Sequence, residues 1–290
     1  MAEFSSVHSY DRFASSVARQ WRYFLREHEP FLSAVRETCR SRGEALPKGA
    51  MLWRAQEGAA ERTEEHEGYE PFVVPCAHEP DRMGPLRNRA KEGRVNPRGI
   101  PCLYLSTRRD TAIAEVRPWI GSLVSVAQFE VIRDQNLINC TSDDPSFRIY
   151  FDEPGPTARE TANWAAIDRA FARPVTVDDS VSGYEPTQIL AELFKSEGFE
   201  GIAYRSSLGD GHNIALFDLD AAELHGCMLM SVDKVRLEVS QADNPYVVTR
   251  KRATSRIGGD GTAFGQADKG NEKHVPLRAQ QRSPRPQRGK

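Results

Sequence analysis

Between residues 11 and 28 the apolar positions Phe13, Val17, Trp21, Phe24 and Leu25 recur at helical spacing, so the pattern predicts an amphipathic helix. Pro30 suits the first turn of a second helix, with Phe31, Leu32, Val35 and Cys39 facing inward and Gly43 placed to end it. Residues 1–47 therefore read as a helical hairpin packed on a main domain, with its aromatics in the core. KGAMLWRAQ (48–56) is a short strand candidate. Residues 57–90 are rich in Glu, Arg, Gly and Pro and carry no usable period, which predicts a long loop or lid.

Alternation returns further on. CLYLS (102–106), LVSVAQFEVI (123–132) and NLIN (136–139) read as strands, the second being the clearest. Residues 141–163 are turn-rich, and a helix is predicted over 158–171. EPTQILAELFKSEG (185–198) has Pro186 in its first turn, a stripe of Ile189, Leu190, Leu193 and Phe194, and Gly198 to close it. GIAYRSS (201–207) and HNIALFDL (212–219) flank LGDG and read as adjacent strands. The mixture predicts an α/β (α+β) fold. From about residue 250, Gly, Pro, Arg, Gln and Lys dominate, so 48–249 is the expected domain and 250–290 a disordered tail.

Charge sharpens this division. The net charge is −2, yet residues 250–290 hold 11 Lys and Arg against 3 Asp and Glu, leaving 28 against 38 in the rest. A basic tail of that kind binds nucleic acid in a salt-dependent way. With Phe264 as its one aromatic and an acidic body behind it, a solvated tail is the preferred reading. The five cysteines are far apart with no CxxC spacing, which disfavours a disulfide framework or a zinc site. No signal-peptide pattern and no apolar run of about 20 residues is present, so the expected compartment is the cytoplasm, without membrane insertion.

The chain has no P-loop, GxGxxG or GxSxG motif, and its histidines are scattered. What remains is a dispersed polar set near strand ends. Arg54 fits either an ion pair with a neighbouring strand or a phosphate contact through its planar fork. Tyr104, between Leu103 and Leu105, falls on the opposite face from both and is either half-buried or turned to a cleft. Glu115 sits among Ala112, Ile113, Ala114 and Val116 in a helix that Asp110 is placed to cap, so its carboxylate is either a surface group or one emerging from an apolar wall. Ser206 and Ser207 end a strand before a Gly-rich loop, where hydroxyls could hold phosphate or ribose.

The order of these pieces is more specific than any one of them. Arg54 after an apolar run, then G-R-x-N-P-x-G-I-P-x-L-Y-L-S with T-A-x-A-E, then Y-x-x-T-Q-x-L-A-E, then G-I-x-Y-R-S-S and N-I-A-L-F resembles the RES domain family over roughly 48–220. The resemblance implies a mixed sheet with flanking helices, similar to the diphtheria-toxin-type ADP-ribosyltransferases. It also implies NAD⁺ as substrate with no further cofactor, and a toxin paired with an Xre-type antitoxin. RES toxins degrade NAD⁺ by hydrolysis or phosphorolysis, or transfer ADP-ribose to a protein. Carried over by motif, the catalytic set would be Glu115, Arg54 and Tyr104, with Arg54, Arg94, Asn96, Tyr104, Ser206 and Asn213 binding NAD⁺. Val95 stands where the family often has an aromatic, which would alter the pocket wall. A fold of this kind that only binds a partner is the non-catalytic alternative. The acceptor and the oligomeric state are not legible in the sequence.

Overall fold

The computed structural model describes residues 2–24, 26–87, 89–143, 150–173, 183–236, 238–239 and 241. The chain divides after Val235 into two units, and the described helices and strands all lie in the first. Leu25 and the tail from residue 250 lie outside the described residues, as does part of the turn-rich stretch after 141.

Among the described residues, ten strands and six α-helices follow in the order α1 (Ser9–Arg19), α2 (Glu29–Cys39), β1 (Gly43–Leu46), β2 (Met51–Glu57), β3 (Ala60–Glu64), β4 (Phe72–Cys76), α3 (Pro80–Met83), β5 (Leu103–Ser106), α4 (Arg109–Glu115), β6 (Leu123–Val131), β7 (Gln135–Asn139), α5 (Pro156–Ala172), α6 (Glu185–Ser196), β8 (Gly201–Arg205), β9 (His212–Leu216) and β10 (Ala222–Ser231). Eight strands form one mixed sheet in the order β1-β7-β8-β9-β5-β2-β6-β10, while β3 and β4 pair by themselves. β7 and β8 are parallel, and the chain between them passes through α5 and α6, as a parallel pair requires.

Two helical covers share one face of this sheet. Over β7, β8 and β9, residues Ile138, Ile202 and Ala215 pack with Phe13 and Val17 of α1, Phe31 and Val35 of α2, Trp164 and Phe171 of α5, and Leu190 and Phe194 of α6. Over β2 and β6, Ala55, Val124 and Val126 pack with Ala112 of α4. The opposite face buries Leu52, Leu103, Leu105, Phe129, Ile214 and Leu216 with Met83 of α3. Between the two covers, residues of β9, β5 and β2 line a cleft.

The N-terminal helices are integral to the first cover. Phe13 is 1% exposed and stacks on Phe31, with ring centroids 4.7 Å apart. Asn163 of α5, wholly buried, accepts the Tyr10 N–H at 2.8 Å and donates to the Ser6 carbonyl at 2.8 Å. A buried amide from a distant helix thus satisfies an N–H that the first turn of α1 leaves without an intrahelical partner. α6 carries Pro186 in its first turn and is followed by Gly198, whose φ of +93° is the left-handed geometry that glycine adopts freely.

Several expectations are corrected. The first helix ends at Arg19, leaving Trp21 and Phe24 exposed, and Arg22 instead reaches Glu185 at 2.6 Å. Gly43 does not end α2. A 3-10 turn (Arg40–Arg42) intervenes, and Gly43 opens β1 with extended φ. The supposed loop at 57–90 contains the β3–β4 hairpin, whose strands AERTE and FVVPC are mostly exposed and show no period-2 burial. β10 has no counterpart in the sequence reading because its alternation changes phase at a bulge between Leu224 and Gly226. Asp110 is not the cap of α4, which starts one residue earlier, after Arg108.

No helix among the described residues is long and apolar enough to cross a membrane. If the first cover depends on the N-terminal helices, Phe13→Ala should lower stability by about 3–5 kcal/mol. Urea unfolding of the full chain checks this, read as a lower midpoint at unchanged m-value.

Candidate active site

A cleft of about 480 Å³ lies between the two helical covers. Its floor is one cross-strand row. The registers place Trp53 opposite Ser106, Ser106 opposite Asn213, and Asn213 opposite Tyr204, so four strands present side chains to one line on the same face. All four residues line the cleft. β2 and β5 share the single pair Trp53–Ser106, and Arg54 enters beside that bridge, with its Nη1 donating to the Tyr104 carbonyl at 3.1 Å. Among the described residues its Nε has no hydrogen-bond partner. Burial, with the charge of Arg82 as a second cause, pulls the Arg54 pKa down to about 10. A guanidinium in that setting is charged at neutral pH and short of water, and it gains from an anion.

Glu115 is the last residue of α4, where the helix carbonyls are poor neighbours for a carboxylate. Two donors offset this at a single oxygen. Ser206 Oγ donates to Glu115 Oε1 at 2.7 Å and Asn213 Nδ2 donates to the same atom at 2.5 Å. Ser206 itself accepts the Leu208 N–H at 3.1 Å, and Asn213 Oδ1 accepts from Ser106 Oγ at 2.7 Å. Thr111 in the first turn of α4 donates to the Asp210 carbonyl, tying the helix to the β8–β9 loop. Glu115 is therefore held at Oε1 by two strands.

Arg94 lies on the turn before β5, and that turn is locked from below. The Tyr104 hydroxyl donates to Asn96 Oδ1 at 2.7 Å and accepts the Val95 N–H at 3.1 Å. Asn96, 2% exposed, donates to the carbonyls of Lys91, Pro97 and Ile100. Gln188 of α6 donates to the carbonyls of Gly93 (2.9 Å) and Asn96 (3.0 Å). Gly93 must lack a side chain, because a Cβ there would lie 2.6 Å from the Tyr104 hydroxyl. Arg94 is thus carried on a turn whose neighbouring residues are all tied, and its Nη2 donates to the Arg173 carbonyl at 2.7 Å.

The structure gathers Arg54, Arg94, Tyr104, Glu115 and Asn213 on the cleft wall. Two of the expected ligand residues lie elsewhere. Ser206 is 6% exposed and spends its proton on Glu115, and Asn96 is beneath the turn with its amide fully engaged. Tyr104 shapes the wall while its hydroxyl serves the turn. Val95 is buried in the core below the turn and is not among the cleft-lining residues. Burial raises the Tyr104 pKa far above its ordinary value, the charge of Tyr204 being the next cause, and burial does the same for Tyr204. Both remain neutral phenols at physiological pH.

Sequence reasoning assigned no role to Tyr184, Tyr204, Gly93 or Arg117, which also line the cleft. The tyrosines and Gly93 stand in the quoted motifs, so letters without roles were the available signal. Arg117 is the one non-glycine with positive φ (50°) among the described residues, a left-handed conformation that costs a side-chain-bearing residue roughly 1–2 kcal/mol. Pro118 follows it and further disfavours the helical region for Arg117. Among the described residues, no three His, Cys, Asp or Glu side chains are grouped to hold a metal ion.

The RES domain family model matches residues 52–239, more than half of the chain. The chain belongs to the RES domain family. Ser206 and Glu115 are in direct hydrogen bond, and Arg54 lines the same cleft as Glu115. No curated protein matches the chain. Among solved structures, a chain of the crystal structure of the M. tuberculosis MbcT–MbcA toxin–antitoxin complex is similar at 13% identity and a TM-score of 0.35, covering 68% of this RES chain and 92% of that one.

The locked turn makes a separate prediction. Gln188→Ala leaves the Gly93 carbonyl without this donor and takes one of two donors from the Asn96 carbonyl, which keeps the Gly93 N–H, and should cost about 1–3 kcal/mol. Gln188→Glu, which sets a carboxylate against the same carbonyls, should cost more. Chemical denaturation of the three proteins side by side gives the order.

Proposed function

We propose that this RES protein cleaves the nicotinamide–ribose bond of NAD⁺. The observation that carries the reading is the pairing, across one cleft, of a carboxylate pinned at one oxygen with two arginines. The cleft volume falls in the ordinary range for small-molecule sites, roughly 300–1,000 Å³.

The chemistry assigns each group a task. When the C1′–N bond breaks, its electron pair goes to the pyridine nitrogen and nicotinamide leaves neutral, so the positive charge passes to an oxocarbenium-like ribose. Water, or phosphate, then attacks C1′, and a proton is lost to solvent when the acceptor is water. Glu115, with Oε1 occupied by its two donors, turns Oε2 to the ribose, where it accepts a hydrogen bond from a ribose hydroxyl and opposes the growing charge. Fixed electrostatics of this kind are worth on the order of 3 kcal/mol for one contributing group. Arg54 and Arg94 hold the pyrophosphate. Tyr104 and Tyr204, as neutral aromatic surfaces, bound the nicotinamide end and take no part in proton transfer.

By family resemblance, the consequence in a cell is NAD⁺ depletion and growth arrest in the cytoplasm, with an Xre-type antitoxin as the controlling partner. Purified protein incubated with NAD⁺, with and without phosphate, should release nicotinamide without labelling any protein. Glu115→Ala should slow release on the order of 10²–10³-fold, and Arg54→Ala should act mainly by raising KM. No nicotinamide release from the wild type overturns the reading, and an ADP-ribosylated protein acceptor would replace it with a transferase.

A further inference from the structure

We infer that Ser106 is a positioning residue that sets the polarity of the hydrogen-bond chain holding Glu115. This rests on the role given to Glu115 above; Ser106 closes the stretch G-R-x-N-P-x-G-I-P-x-L-Y-L-S, where the sequence reading gave it no role.

Ser106 and Asn213 face each other across β5 and β9 and are 4% and 3% exposed. A primary amide can occupy such a site in two orientations related by a half-turn, exchanging oxygen for nitrogen. An ionised Glu115 tolerates one of them. Asn213 must present Nδ2 to Oε1, as it does at 2.5 Å, because the reversed amide would set its oxygen against the carboxylate. Oδ1 then points at Ser106, whose hydroxyl has one proton to give and gives it there at 2.7 Å. The serine thereby removes the near-equivalence of the two orientations. Ser206, the other donor to Oε1, is fixed from its own side by the Leu208 N–H, so each donor to the carboxylate has a device that fixes its direction.

Ser106 lines the cleft, yet its proton is committed to Asn213. It acts on the reaction through Asn213 and not by touching substrate. Alanine at 106 leaves the buried Oδ1 without a donor and frees the amide to turn over. Threonine restores the hydroxyl on the same strand face.

The test compares nicotinamide release by wild type, Ser106→Ala, Ser106→Thr, Asn213→Ala and the Ser106→Ala/Asn213→Ala double variant, with side-chain amide NMR of Asn213 alongside. Ser106→Ala should lower kcat roughly tenfold, the usual effect of one buried hydrogen bond, with KM changed by less than about twofold. Ser106→Thr should recover to within about threefold of wild type. The double variant should be no slower than Asn213→Ala alone, since a residue acting through a neighbour loses its effect once the neighbour is gone. The Asn213 NH₂ resonances should shift or broaden in Ser106→Ala and return in Ser106→Thr. Multiplying effects in the double variant, a loss confined to KM, or unchanged Asn213 resonances in Ser106→Ala overturns the proposal. Absence of turnover in the wild type would sink the NAD⁺ reading instead, and the NMR comparison would still decide the role of Ser106.

Discussion

Two hydrogen bonds to one carboxylate oxygen organise the cleft. Ser206 and Asn213 reach Glu115 Oε1 from the ends of different strands, so the carboxylate's place depends on the β8–β9 pairing and on the Asp210 contact that anchors α4. A one-residue slip of β9 would turn Asn213 to the other face and take Tyr204's cross-strand partner with it. The sheet's register is therefore a functional quantity. Most of the cleft floor is one line of it, and a carboxylate at the wrong end of a short helix is kept in use by what that line presents.

The arginine side of the cleft is built differently. Arg94 is carried by a turn rather than a strand, and the turn is made rigid by polar groups whose hydrogen bonds are made within the protein: the Tyr104 hydroxyl, the Asn96 amide and the Gln188 amide. Buried polar networks of this type hold one geometry when every member is satisfied and fail when one is not. α6 thus serves two structures at once. Its apolar stripe closes the first helical cover, and Gln188 on another side fastens the turn.

Much of this was legible in the sequence. The α5 and α6 helices and the strands at β2, β5, β6, β8 and β9 follow from periodicity, and the gathering of Arg54, Arg94, Tyr104, Glu115 and Asn213 follows from the family resemblance that the motif order carries. The misses share a cause, since each element lacks the one-sided burial that makes a period visible. β1, β3 and β4 are short and mostly exposed, and β10 changes phase at its bulge. For the site, sequence could name polar residues but not divide them between those facing the ligand and those holding the others. Asn96 and Ser206 are indistinguishable from ligand-facing residues until their partners are seen, and Ser106 reads as an ordinary strand end.

The cover that joins α1 and α2 to α5 and α6 bears on how the protein is made. Phe13 and Phe31 lie in the same cluster as Trp164 and Phe194, which are separated from them by well over a hundred residues of chain. Contacts of such long sequence separation form late. The first helices leave the ribosome with their aromatic faces uncovered and must wait for α6. Asn213, which holds Glu115, is synthesised later still. Translation thus postpones the completed cleft until the domain is nearly finished, and a nascent chain arrested before β9 carries Arg54, Arg94 and Glu115 without the donor from Asn213 that fixes the carboxylate.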